Sequence, residues 1–160
     1  MTVNTVTGSR LFIGPVRAST VDTLSEYRAL AWTLIGEIES MGDTGDQSNA
    51  VTFQSIGDSR IRKLKGARDA GSATYVLGRD VLDAGQIALK AAERTKFEYA
   101  FKVEYADAPS DDYDNSIEYF GALVMGARTN MGGGDNVVKV TAELGINTEI
   151  TEDPASLTTG

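Results

Sequence analysis

Residues 97–105 read Phe97-Glu98-Tyr99-Ala100-Phe101-Lys102-Val103-Glu104-Tyr105. Large apolar side chains stand at every odd position, with Glu98, Ala100, Lys102 and Glu104 between them. A strand turns successive side chains to opposite faces, so this spacing predicts one apolar and one largely polar face. A helix of about 3.6 residues per turn would scatter the same residues around its circumference. The stretch 137–146 repeats the pattern, with Val138, Val140, Ala142, Leu144 and Ile146 alternating with Lys139, Thr141 and Glu143. Between them, 116–128 is apolar on both faces, as a strand covered on both sides would be. Met131-Gly132-Gly133-Gly134-Asp135-Asn136 then predicts a hairpin loop. Less regular strands are expected at 32–38, 50–56, 60–65 and 72–78, each bounded by Gly, Asp, Ser or Asn.

One helix interrupts this pattern, over about 80–94. Asp80 is placed to cap its start and Asp83 to favour the positive end of its dipole. Val81, Leu82, Ala84, Gly85, Ala88, Leu89, Ala91 and Ala92 fall on one half of a helical wheel, and Asp83, Gln86, Lys90, Glu93 and Arg94 on the other. Residues 19–31 offer a weaker, shorter helical piece. The expected fold is therefore mainly β (α+β), an antiparallel β-sandwich or barrel with one flanking α-helix. At 160 residues the chain fits one domain, expected over 1–150, with a polar, loose tail over 151–160.

Composition narrows the chemistry. There is no Cys, so disulfides, thiolate metal sites and a cysteine nucleophile are excluded; there is no His, which removes the commonest general base. Met1 to Pro15 shows no secretory signal pattern, no apolar run has the length of a membrane span, and no membrane anchor is expected. The net charge of −8 argues against tight binding to phosphate backbones.

That charge is segregated. Residues 37–46 carry four acids and no base: Glu37, Glu39, Asp43 and Asp46. Residues 60–68 carry five bases and no acid: Arg60, Arg62, Lys63, Lys65 and Arg68. Residues 104–118 carry six acids and no base. A basic run without interleaved aromatics suits docking onto an acidic protein surface better than stacking on bases. These two sets of residues are the candidate contacts between copies, with 104–118 as a second acidic partner for the basic run. The rest of the acidic loop, 106–116, is expected to lie outside the sheet.

Other candidate sites are weaker. Asp111, Asp112 and Asp114 lack the Gly and Glu that make a calcium loop specific, and a solvated loop explains them. Gly132-Gly133-Gly134 lacks the following Lys-Ser/Thr of a phosphate cradle. No catalytic residue, metal ligand or cofactor is assigned.

From Ala29 to about Leu89 the sequence resembles the major tail tube proteins of long-tailed bacteriophages. The residues that carry the likeness are Ala31-Trp32-Thr33-Leu34-Ile35-Gly36-Glu37-Ile38, Val51-Thr52-Phe53, Lys63-Leu64-Lys65-Gly66-Ala67-Arg68-Asp69-Ala70-Gly71, and Asp80 through Gln86. Phe120-Gly121-Ala122-Leu123-Val124 and Asn136-Val137-Val138 are compatible with the same family. The resemblance implies a small β-sandwich with a flanking helix. Six copies would close into a ring, and rings would stack into a hollow tube that conducts the genome to the host. It further implies self-association, tail-end, tape-measure and terminator proteins as partners, and DNA that passes without specific binding. It places the protein in a virion tail assembled in the bacterial cytoplasm, and implies no catalytic residues. Tube proteins of contractile tails and of type VI secretion share that architecture, so the type of tail stays open. Two other readings also remain at this stage: a monomeric small β-barrel that binds a ligand, and a carboxylate-based enzyme.

Overall fold

The computed structural model describes residues 3–158. Ten strands and two helices follow in the order β1 Arg10–Val16, α1 Leu24–Arg28, β2 Thr33–Ile35, β3 Ile38–Ser40, β4 Gln47–Phe53, β5 Arg62–Asp69, β6 Ser72–Gly78, α2 Ala84–Glu93, β7 Tyr99–Glu104, β8 Ile117–Asn130, β9 Lys139–Ile146 and β10 Thr151–Asp153. All the pairings are antiparallel, and eight strands form one sheet in the order β2-β1-β7-β8-β9-β6-β3, with β10 also on β8.

The long strand β8 organises this sheet. Its first part, residues 117–122, pairs with β7, and its later part, residues 122–130, pairs with β9. The register slips between Val124 and Gly126, where a bulge bends the strand. The two halves of the sheet therefore fold over one another. Leu11, Phe101 and Phe120 from one half and Ala73, Tyr75, Leu77, Val140 and Leu144 from the other are buried in a common core. The inward residues of β9, and Phe101 and Val103 on β7, are those that alternation assigned to the apolar face, but β7 also buries Ala100 from its other face, in a second cluster with Tyr27 and Tyr119.

Helix α2 closes one end of the core with Leu89 and Ala92. It begins at Ala84, capped by Asp83 rather than Asp80. The carboxylate of Asp83 accepts from the backbone N of Gln86 (2.9 Å) and of Gly36 (3.1 Å), so one cap also anchors the turn after β2. Asp80 instead holds a preceding turn, accepting from the N of Leu82. Gln86 is a buried polar residue whose Nε2 donates to the carbonyls of Gly78 (2.8 Å) and Gly36 (3.2 Å), while its Oε1 accepts from the N of Asp80 (3.0 Å). The helix lies so close to β2 that a Cβ on Gly85 would fall 2.1 Å from the carbonyl oxygen of Leu34.

The weaker helical piece expected within 19–31 forms as α1 and buries Tyr27, whose ring stacks on Tyr119 at 5.3 Å. Several expectations change. The expected strand 32–38 divides into β2 and β3 at Gly36–Glu37, because Glu37 takes a left-handed φ of 61° and its carbonyl accepts from the N of Gly78. Strand β1 was not expected. The tail expected to be loose is paired: Thr151–Asp153 lies on β8, Arg28 grips Asp153 at 2.7 Å, and Asp114 N donates to Ser156 O (2.8 Å) while Thr158 N donates to Asp112 O (2.7 Å). The acidic loop and the tail thus satisfy one another's backbone groups, which a polar composition does not reveal. Residues 159–160 lie outside the described residues.

Candidate assembly surfaces

Strands β4 and β5 form a two-stranded sheet of their own, paired only with each other. Nearly every residue in this hairpin is exposed. The register places Val51 opposite Leu64 and Phe53 opposite Arg62 on one face, with Ala50 opposite Lys65 and Thr52 opposite Lys63 on the other. Apart from Arg62 at its end, one face is therefore apolar, and the other carries Lys63 and Lys65. Val51, Phe53 and Leu64 keep 50%, 58% and 59% of their surface in water, and Ile56 and Ile61 near the tip are exposed as well. An isolated hairpin is at best marginally stable in water, so the uncovered apolar side chains of this one mark it as a candidate contact surface.

The nine charged candidates do not behave alike. Arg68 at the hairpin root pairs with Asp46 at 2.5 Å and approaches Glu149 at 3.9 Å. Glu39 is taken by Lys139 at 2.7 Å. Arg62 makes an exposed contact with Asp58 at 3.3 Å. Arg60, Lys63 and Lys65 make no ion pair among the described residues, and neither do Glu37 and Asp43. Part of the charge expected to act between copies is thus spent within the chain.

The fold brings the two acidic stretches together. A cavity of about 470 Å³ opens between the 41–44 segment, the N-terminal segment and the end of β7. Asp43 and Thr44 line it from one acidic run, Tyr105 and Asp107 from the other, and Tyr75 of β6 from the core side. Behind this wall Glu118 Oε2 accepts from Tyr105 Oη at 2.7 Å and from Thr44 Oγ1 at 2.9 Å. The Tyr75 hydroxyl is buried and has no hydrogen-bond partner. Burial, and then the Tyr105 and Glu118 groups nearby, push its ionisation well above the usual phenol range. Burial is also the main reason that Tyr105 is pushed up to about 12. Both phenols are neutral at physiological pH.

Among the described residues no group of three or more Asp and Glu is arranged to hold a metal ion. Asp112 and Asp114 are engaged with the tail through their backbones, and Gly133 accepts from the N of Asn136 within the β8–β9 loop. No described helix is long and apolar enough to cross a membrane.

No family model and no curated protein matches this sequence. The fold does match solved structures. It superimposes on the SPP1 tail tube with a TM-score of 0.67 and 13% identity, over 94% of this chain and 78% of that one. A chain of the anti-feeding prophage baseplate gives a TM-score of 0.64 at 10% identity, over 96% of this chain and 98% of the other. An Hcp protein gives 0.52 at 10% identity, over 91% and 98%. This chain has a tail-tube fold.

Within that tail-tube fold, sequence reasoning reached the charged residues but not the apolar ones. Val51, Phe53 and Leu64 look like ordinary strand residues until the isolated pairing of β4 with β5 shows that about half of each stays in water. Tyr75, Tyr105 and Glu118 belong to three different strands or strand ends, and only the register of the closed sheet gathers them. No local signal could have found that cluster.

Proposed function

We propose that this protein is a structural subunit of a phage-type tail tube, joining copies of itself into closed rings that stack into a channel for DNA. The observation that carries this reading is the β4–β5 hairpin, with an apolar face that its own chain leaves in water. A second copy is the natural cover, because repetition of one contact around a ring or along a filament buries every hairpin alike. The tail-tube fold supports the same role, as does the resemblance noted above. Six copies per ring follow from the resemblance. The net charge of −8 suits a conduit, since an acidic wall offers phosphates few cations with which to exchange counterions. In this role the protein belongs to the virion tail and meets end, tape-measure and terminator proteins there.

Negative-stain microscopy and sedimentation of the purified chain test this directly. Rings or tubes formed without any cofactor are the expected result. A particle that stays monomeric at high concentration across a range of salts would overturn the reading.

A further inference from the structure

The cavity between the 41–44 segment and the end of β7 has an unusual hydrogen-bond inventory. Tyr105 and Thr44 each own one hydroxyl hydrogen, and both are directed at Glu118 Oε2. Toward the cavity these two groups can offer only lone pairs. Asp43 and Asp107 add carboxylate oxygens at its wall. Tyr75, 1% exposed, brings a hydroxyl with no partner at all. Asn4, Thr5 and Ser9 complete the lining with an amide and two hydroxyls, and its only charged groups are the two carboxylates, so the wall is polar and negatively charged. The complement of that charge is a cation that can donate to the carboxylates and to the lone pairs of Tyr105 and Thr44: an ammonium with three N–H bonds or a guanidinium with five.

We infer that this cavity is a receptor site for the cationic head of a lysine or arginine supplied by the β5 strand of a second copy. Lys63 and Lys65 are the best-placed donors. They share one face of the hairpin and have no ion pair among the described residues. The seven-residue strand β4 spans roughly 20 Å at about 3.3 Å per residue, with Lys63 paired near its far end. That end lies beyond lysine reach of the cavity beside the hairpin's own root, so another copy must receive it. The inference rests on the self-assembly reading and gives it a definite contact: the one basic block of the chain against the point where its two acidic runs meet.

Two measurements on the full chain test it. In the first, unlabelled and isotope-labelled copies are mixed, assembled and treated with a carbodiimide, which joins amines to carboxylates without a spacer. Peptides linking Lys63 or Lys65 of one isotope to Asp43 or Asp107 of the other are expected. In the second, n-butylammonium is titrated into dilute, unassembled protein and followed by NMR. Glu118→Gln is expected to weaken its binding at least tenfold, and Tyr75→Phe, which keeps the ring in the core, a few-fold. Unchanged butylammonium affinity in both variants overturns the site. Tubes that yield no mixed-isotope peptides at these residues overturn the docking while leaving the tube reading intact. Butylammonium binding with no such peptides in the tubes assigns the cavity to a free amine, which also overturns the docking. Mixed peptides from small oligomers, with no ring or tube in the micrographs, support the docking and sink the tube reading alone.

Discussion

Replacing Val51, Phe53 and Leu64 together by Ser tests whether the hairpin's apolar face drives assembly. Fully burying one such side chain contributes about 1.5–3 kcal/mol. Each of the three already has roughly half of its surface covered within the subunit, at 50%, 58% and 59% exposed. Covering the remainder on assembly is therefore worth about 1 kcal/mol each, or about 3 kcal/mol per hairpin. At about 1.4 kcal/mol per factor of ten, the subunit concentration at which polymer first sediments should rise on the order of a hundredfold. The fold itself should hardly notice, because β4 and β5 pair only with each other and these three side chains belong to neither core cluster. Pelleting over a dilution series measures the first effect and thermal unfolding of dilute subunit the second. Should the triple variant pellet at the wild-type concentration, the apolar face is not an interface and the argument from the hairpin fails. Should it unfold early as a monomer, the hairpin has a structural role within the subunit.

Three further outcomes follow from the same structure. Lys63→Glu with Lys65→Glu should leave thermal unfolding near normal yet impair tube growth, and raising the salt should weaken wild-type growth in the same direction, as turbidity or pelleting will show. Gln86→Ala strips buried partners from Gly36, Gly78 and Asp80, so chemical denaturation should show a loss of about 2–4 kcal/mol, with assembly failing only as far as folding does. Tyr75 and Tyr105 have folded-state ionisations raised above the ordinary phenol value of about 10. Their contribution to stability is full below that pH and is lost as the pH climbs toward about 12, where Tyr105 ionises in the folded chain. Tyrosinate absorbance should therefore show late-titrating groups in the native protein, and Tyr75→Phe should flatten the alkaline fall in stability.

What was legible in the chain depended on how local the deciding force was. The residues of β7 and β9 alternate in polarity, so a period of two exposes both strands without any knowledge of their neighbours, although the second face of β7 is also covered, with Ala100 buried. Strand β1 hides because Gly14 and Pro15 interrupt Leu11-Phe12-Ile13, and its bulge between Ile13 and Val16 is visible only against β7. Read from sequence, the cap of α2 falls on Asp80, three residues before the residue that makes it. Asp83 takes the cap because its carboxylate also holds the N of Gly36, a contact 47 positions away in sequence. The same holds for charge. The basic block of 60–68 is plain in sequence, but nothing local says that Arg68 is neutralised by Asp46 or that Glu39 is claimed by Lys139 across 100 residues. The tail's polar composition correctly reports that it cannot bury itself, and is silent on the backbone partners waiting at 112–114.

The placement of hairpin and cavity also decides what kind of oligomer can grow. Both features sit at the root of the same excursion: Asp43 and Thr44 line the cavity just before β4 begins. If two copies met about a two-fold axis, each hairpin could fill the other's cavity, and association would stop at the dimer with no cationic face left over. In a head-to-tail contact one hairpin is seated and one cavity filled, while each end keeps a free partner, so growth continues until a ring closes or a filament runs on. The exposed apolar face favours the second arrangement, since a hairpin with opposite faces of different chemistry can contact two neighbours at once, one through Val51, Phe53 and Leu64 and one through Lys63 and Lys65. Carbodiimide treatment followed by denaturing electrophoresis separates the two cases. Head-to-tail contact predicts a ladder of covalent products that passes well beyond two chains, whereas two-fold pairing predicts a band at two and nothing above it. A dimer band alone, from a sample whose micrographs show rings, would mean that the lysine contacts pair subunits across rings and that some other surface closes each ring.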